Sequence, residues 1–128
     1  MTALADFYQN GKSVPQDWRK AYLLYEKAAN LGDSKARYML GIYLDNGLGC
    51  KADSNQAAFH LIKSANEGNS TGMTILASNL EHGGNMVKDL RKAVYWYKKA
   101  ATLENAYAKK WLEKHEGEAL NPLQDEIG

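Results

Sequence analysis

The same residues return every 36 positions along this chain, with no insertion or deletion between the copies. Gly11, Gly47 and Gly83 keep that interval, as do Ala21, Ala57 and Ala93, the aspartates Asp17, Asp53 and Asp89, and the lysines Lys27, Lys63 and Lys99. Leu4, Leu40, Leu76 and Leu112 carry it into a fourth, incomplete copy. A period of this length is the mark of a solenoid, in which one unit cannot bury its apolar face alone and stacks on the next. Architecture, and with it a binding surface, is therefore predicted before any single residue is weighed.

Within each copy the pattern reads helix–turn–helix. In residues 36–71 the first helix places Ala36, Leu40, Gly41 and Leu44 on one face, and Gly47-Leu48-Gly49 makes the turn. Asp53 caps the second helix, which is expected to bury Ala57, Leu61, Ala65 and one of Phe59 or Ile62 before Gly68 ends it. The first copy repeats this with Leu4, Ala5 and Tyr8 inward, then Asp17 as cap, then Ala21, Tyr25, Ala28 and Ala29. The third has Gly72, Leu76, Ala77 and Leu80, then Asp89, Ala93, Tyr97, Ala100 and Ala101. Glu104 replaces the glycine found at Gly32 and Gly68, so this helix is expected to end differently or to run closer to the next. A last helix near 106–116 keeps Ala108 and Leu112 inward but carries Glu113 and Glu116 where another helix would pack, as a terminal cap requires. The expected fold is thus all-α, an α/α superhelix with repeats at 1–35, 36–71 and 72–107, a capping helix at 108–117 and a polar tail at 118–128.

Composition agrees with a packed domain: 45% of residues are apolar and 24% charged. Sixteen basic against fifteen acidic side chains leave +1, too little to draw in nucleic acid or an anionic membrane, so neither is an expected partner. The single cysteine, Cys50, has no internal disulfide partner, which fits a reducing, cytoplasmic setting. Residues 1–11 have neither a basic start nor an apolar run, so no signal peptide is expected. No stretch approaches the apolar length of a membrane span.

The pattern Ala36…Leu40-Gly41…Asn46-Gly47-Leu48-Gly49, Asp53…Ala57 and Ala65…Gly68 resembles the Sel-one-like repeat family, close relatives of tetratricopeptide repeats. Asp17-Trp18-Arg19-Lys20-Ala21…Tyr25-Glu26-Lys27-Ala28-Ala29 and Asp89-Leu90-Arg91-Lys92-Ala93…Trp96-Tyr97-Lys98-Lys99-Ala100-Ala101 repeat it. The resemblance implies an α-superhelix with the first helix of each pair lining a concave face. It also implies a non-enzymatic adaptor or scaffold that binds a protein partner, acting as a monomer or weak homo-oligomer. Some small bacterial members of the family are immunity proteins that occlude a cognate toxin, which makes that the alternative role.

Signals for catalysis are weak beside this. Gly47-Leu48-Gly49-Cys50-Lys51-Ala52 fits a relaxed dinucleotide fingerprint, but that motif works between a strand and a helix and here it is the repeat's own turn. His60, His82 and His115 are too far apart for a metal-binding pair, and no CxxC or HxxxH spacing occurs. No nucleophile–base pair stands out for the remote alternative, a hydrolase. Neither metal nor cofactor is expected. Asn69-Ser70-Thr71 matches a glycosylation sequon, yet helix capping explains the same residues.

What remains is a row of positions that the core stripe does not use. On the first helices it comprises Asp6 and Gln9, then Lys35, Tyr38, Ile42 and Asp45, then Thr74, Ser78, Glu81 and His82, with Tyr107, Lys110 and Lys114 continuing it. These positions vary between copies, as side chains do when they answer to a partner. Tyr38 and Ile42, four residues apart on one helix, are expected to be exposed anchors entering a single pocket of that partner, beside the space left by Thr74 and Ser78. Asp45, Glu81 and His82 would then supply a polar rim.

Overall fold

A computed structural model describes residues 2–11, 16–83 and 86–115. They form helices α1 (Thr2–Asn10), α2 (Trp18–Asn30), α3 (Ser34–Asn46), α4 (Ser54–Asn66), α5 (Ser70–His82), α6 (Leu90–Thr102) and α7 (Ala106–Lys114), and no strand. Each helix packs on its neighbours in sequence, so the pairs α1–α2, α3–α4 and α5–α6 stack in order and α7 closes the end. The expected 12–15 loop, Gly84-Asn85, Glu116 and the 118–128 tail lie outside the described residues.

Side-chain chemistry fixes both ends of the helices. Asp17, Asp53 and Asp89 accept from the backbone N–H of Lys20, Gln56 and Lys92 at 3.0–3.1 Å, filling the N-cap role read from the sequence. Their own N–H groups donate back to Tyr8, Leu44 and Leu80 carbonyls at 2.8–2.9 Å, which closes every pair in the same way. Asp33, Asn69 and Asn105 cap α3, α5 and α7 through Ala36, Gly72 and Ala108. Asn69 and Asn105 have an amide as well, and it donates to Ser34 Oγ at 3.0 Å and Ser70 Oγ at 3.5 Å in the preceding repeat. The sequon asparagine is thereby accounted for as a cap and an inter-repeat tie.

Glu104 was expected to change the end of α6, but the turn is the same as in the other copies. Gly32 and Gly68 sit at φ 94° and 91°, and Glu104 adopts φ 66°, the one left-handed non-glycine among the described residues. The hydrogen bonds that follow are equivalent: Gly32, Gly68 and Glu104 N–H reach Ala29, Ala65 and Ala101 carbonyls at 2.9–3.0 Å. Gly49 is required for a different reason. A Cβ there would lie 2.3 Å from the Trp18 carbonyl oxygen, because this turn presses on the backbone that starts α2.

Two apolar clusters form the core. One joins α1, α2, α3 and Ala57; the other joins α5, α6, α7 with Leu61 and Ala65. Helix α4 therefore feeds both. Gly41 lets it approach α3, where a Cβ would meet Leu61 Cγ at 2.6 Å. Three expectations for buried residues need correction. Leu4 is 45% exposed, because the leucine position is covered from both sides at Leu40 and Leu76 and α1 has a described pair on one side only. Phe59 and Ile62 are 53% and 44% exposed on the outer side of α4; Lys63 lies over the Phe59 ring at 5.6 Å and shields it in part. On α7 the buried large residue is Trp111 rather than Leu112, which is half-buried.

Two predictions follow from this packing. Relieving the left-handed strain at residue 104 removes roughly 1–2 kcal/mol, against about 0.5–1 kcal/mol of added chain entropy for glycine. Glu104→Gly should therefore raise the thermal midpoint by a few degrees, with the exposed Glu104–Lys109 ion pair contributing little to the balance. An unchanged or lowered midpoint would contradict the strain. The second concerns His60, half-buried with its Nδ1 lacking a partner among the described residues. Burial first, and then the charge of Arg37, hold its imidazole below the ordinary 6.5. The unfolded chain then binds more protons just below that value, so stability falls as pH drops from about 6.5 toward the folded value. His60→Leu, which installs the residue found at the equivalent Leu24, should flatten that slope in urea unfolding followed between about pH 7 and 5.

Candidate functional site

The first helices line one side of the stack. Helices α3 and α5 touch each other directly on this side, more extensively than any two second helices do. The polar row expected there divides into residues that hold the repeats together and residues that line open grooves.

The structural part is organised by buried tyrosine hydroxyls. Tyr25 is fully buried, and its hydroxyl donates to Asp6 Oδ1 and, at 3.3 Å, to Gln9 Oε1. Tyr43 donates to the same Gln9 oxygen at 2.7 Å, and Lys35 Nζ pairs with Asp6 Oδ2 at 2.8 Å. Burial pushes the Asp6 carboxyl up, but the hydrogen bonds from Lys35 and Tyr25 outweigh it and hold the group below its usual value. Burial and the neighbouring Asp6 charge push the Tyr43 phenol up to about 12, and the same causes together with the Asp6 hydrogen bond raise Tyr25 further. At the other end, Glu81 accepts from Tyr97 at 3.0 Å and from Trp111 Nε1 at 3.1 Å, while the Trp111 indole stacks on Tyr97 with centroids 4.1 Å apart. Between the two, Asn79 donates to Asp45 at 3.3 Å. The signal for this was present in the sequence. A tyrosine at a buried repeat position needs an acceptor, and Tyr25 and Tyr97 have Asp6, Gln9 and Glu81 nearby, whereas the equivalent Leu61 needs none and faces a first helix carrying Ile42.

Tyr38 and Ile42 are not the exposed pair expected. Both are half-buried, Tyr38 against the C-terminal core cluster and Ile42 against the N-terminal one, so they serve different interfaces and truncating them would also cost folding stability. Thr74 is buried too, its hydroxyl donating to the Thr71 carbonyl at 2.8 Å.

The open surface lies further along. A groove of about 530 Å³ runs between α5 and α7, with Thr71, Thr74, Ser78 and Asn79 on one wall and Asn105 and Tyr107 on the other. A second, of about 400 Å³, adjoins it and is lined by Glu81, His82, Lys110, Trp111, Lys114 and His115, with Tyr107 shared between the two. Of the row read from the sequence, Thr74, Ser78, Glu81, His82 and Lys110 meet here, whereas Asp6, Gln9, Lys35 and Asp45 do not. Asn79, Asn105, Trp111 and His115 join the site without having been singled out, since their role depends on two helices meeting. Burial and the charge of Glu26 push the Cys50 thiol up, the wrong direction for a nucleophile. Among the described residues no three His, Cys, Asp or Glu side chains converge as metal ligands, and no helix is long and apolar enough to cross a membrane.

The Sel1 repeat model matches residues 1–33, 34–69 and 70–105. The chain belongs to the Sel1-repeat family. Members of the family are generally protein-interaction scaffolds. Among solved structures, this Sel1-repeat chain is similar to c5321, a protective antigen of uropathogenic Escherichia coli with an SLR fold, at 29% identity and a TM-score of 0.84 over 94% of this chain and 26% of that one. It is similar to a Sel1 repeat protein from Oxalobacter formigenes at 28% identity and a TM-score of 0.82, over 88% of this chain and 45% of the other. Cysteine rich protein B of Helicobacter pylori matches at 26% identity and a TM-score of 0.72, over 87% and 86% of the two chains. This chain thus spans about a quarter and under half of the first two relatives. A search of curated proteins finds no match.

The division between structural and open residues can be tested by unfolding. Glu81→Ala leaves the Tyr97 hydroxyl and the Trp111 N–H without their acceptor, at a cost of about 1–3 kcal/mol per buried group. Lys110→Ala on the exposed side should stay within about 0.5 kcal/mol. Equal midpoints in urea for the two variants would mean that Glu81 is not part of the scaffold.

Proposed function

We propose that this chain is a non-enzymatic protein–protein interaction module, an adaptor or scaffold, that holds its partner on the first-helix face. The contact would centre on the paired grooves between α5 and α7 rather than on Tyr38 and Ile42. The observation that carries this reading is Tyr107, 59% exposed at the junction of two adjoining grooves. A tyrosine held on a helix, with its ring beside Tyr97 on one side and largely open to solvent, is the kind of residue that anchors protein interfaces. Groove volumes of this size accept side chains of a peptide or loop.

Site-specific photocrosslinking tests the reading. A benzophenone side chain at position 107 should capture a discrete partner in cells, while the same probe at position 59, on the outer side of α4, should not. For the partner so identified, Tyr107→Ala should weaken the complex by roughly 2–4 kcal/mol. The free protein should unfold as the wild type does, within about 0.5 kcal/mol. Capture at position 59 alone would place the contact on the second helices and overturn the proposal.

A further inference from the structure

We infer that the α5–α7 grooves take an extended acidic peptide, with a carboxylate side chain held between Lys110 and Lys114 and a neighbouring apolar or aromatic side chain against Tyr107. The inference rests on the first-helix reading above and names the chemistry of its ligand.

Three observations converge on this chemistry. Tyr107, Lys110, Trp111 and Lys114 fall at i, i+3, i+4 and i+7 on α7, so they form one stripe, and all four line the second groove. Only on α7 do the i+3 and i+7 positions of this stripe carry lysine. In the repeats before it, the positions of Lys110 and Lys114 hold Thr74 and Ser78, and before those Tyr38 and Ile42. Neither lysine has an acidic partner among the described residues, whereas Lys109, on the next face of the same helix, is paired with Glu104.

The one acid among the described residues that line this groove is already in use. Glu81 receives the Tyr97 hydroxyl on one oxygen and the Trp111 N–H on both, at 3.0–3.2 Å, and is held at the floor beneath the indole. His82 Nε2 lies 3.6 Å from that carboxylate, with its ring 70% exposed at the rim. Among the described lining residues the two lysines outweigh Glu81 and leave the groove mouth positive. The indole has spent its only donor inward, so what Trp111 can offer a ligand is an apolar ring edge. Lysine stems and tyrosine then make an apolar channel with charged tips, which suits an acidic residue beside an apolar one.

The adjoining groove supplies the rest of an extended ligand. Its walls are neutral and polar: Thr71 and Ser78 present hydroxyl groups to a peptide backbone, Asn79 and Asn105 are already tied to Asp45 and Ser70, and Ile75 and Tyr107 give it an apolar side. A chain crossing both grooves passes over Tyr107, with its acidic end toward Lys114.

A random-peptide phage library panned on the full chain tests this, with selected peptides synthesised and titrated by fluorescence anisotropy. The expected peptides carry Asp or Glu within a few residues of an aromatic or large aliphatic side chain. Their affinity should fall by at least about tenfold on K110E/K114E and less on K110Q/K114Q, and it should weaken as salt is raised. Both lysines are exposed, so circular dichroism and the thermal midpoint should match the wild type, and the glutamine variant keeps the test valid if charge reversal disturbs the fold. Panning on K110E/K114E itself should return Lys- or Arg-bearing peptides. Peptides lost on Tyr107→Ala yet indifferent to both lysine variants would overturn the acidic specificity and leave the first-helix reading standing. Peptides lost only on Phe59→Ser with Ile62→Ser would overturn that reading as well. A library that returns no peptide sensitive to the groove also counts against the inference.

Discussion

No helix pair in this chain can bury its own apolar face, and the rest of the structure follows from that dependence. Leu40 and Leu76 are almost fully buried because a second helix covers them on each side, whereas Leu4, with one such neighbour among the described residues, is 45% exposed. Full burial of a leucine is worth about 1.5–3 kcal/mol, so each stacking interface is carried by a few such residues. Close approach is what makes the burial complete. Gly41 admits Leu61, and Gly72 admits Ser64, whose buried hydroxyl would lie 2.4 Å from a Cβ there and instead donates to the Ser34 carbonyl at 2.9 Å. Helix α4 sits at the centre of this arrangement, contributing Ala57 to one cluster and Leu61 with Ala65 to the other.

Burying tyrosine in such a stack brings a second requirement, since each hydroxyl must keep an acceptor. The chain meets it with sets of residues that change together. Tyr25 comes with Asp6, Gln9 and Lys35; Tyr97 comes with Glu81 and the stacked Trp111; Leu61 comes with Ile42, and Asp45, at the position of Gln9 and Glu81, accepts from Asn79 instead. Polar residues on the inner helices are thus consumed at both ends of the array. Beside α7, Lys110 and Lys114 line the open groove and are exposed.

The outer helices show the complementary solution. Phe59 and Tyr95 occupy the same repeat position, both more than half exposed, each with the lysine one turn on over its ring at 5.6 and 5.8 Å. A lysine stem laid along an aromatic ring covers apolar area while leaving the charge hydrated. Large side chains are tolerated on a solvent face in this way, which is why size and hydrophobicity alone wrongly put one of Phe59 or Ile62 in the core.

The 36-residue period, the capping aspartates and the small–large alternation determined the helices, their order and most of the buried stripe, because each of these is a property of a residue and its neighbours within a turn or two. Even the strained end of α6 keeps the common turn, since the backbone bonds that follow it are set by the stack and not by the residue at position 104. What only the tertiary structure decided was the fate of the inner polar row. Helical periodicity gives the direction in which Gln9, Tyr38 or Glu81 points, but not what stands opposite, and the groups opposite come from other helices 16 to 34 residues away. Whether an acid on that face is a tie between repeats or the rim of a groove depends on those distant partners. For that reason the scaffold could be read along the chain, and the α5–α7 groove emerged only once the helices were packed.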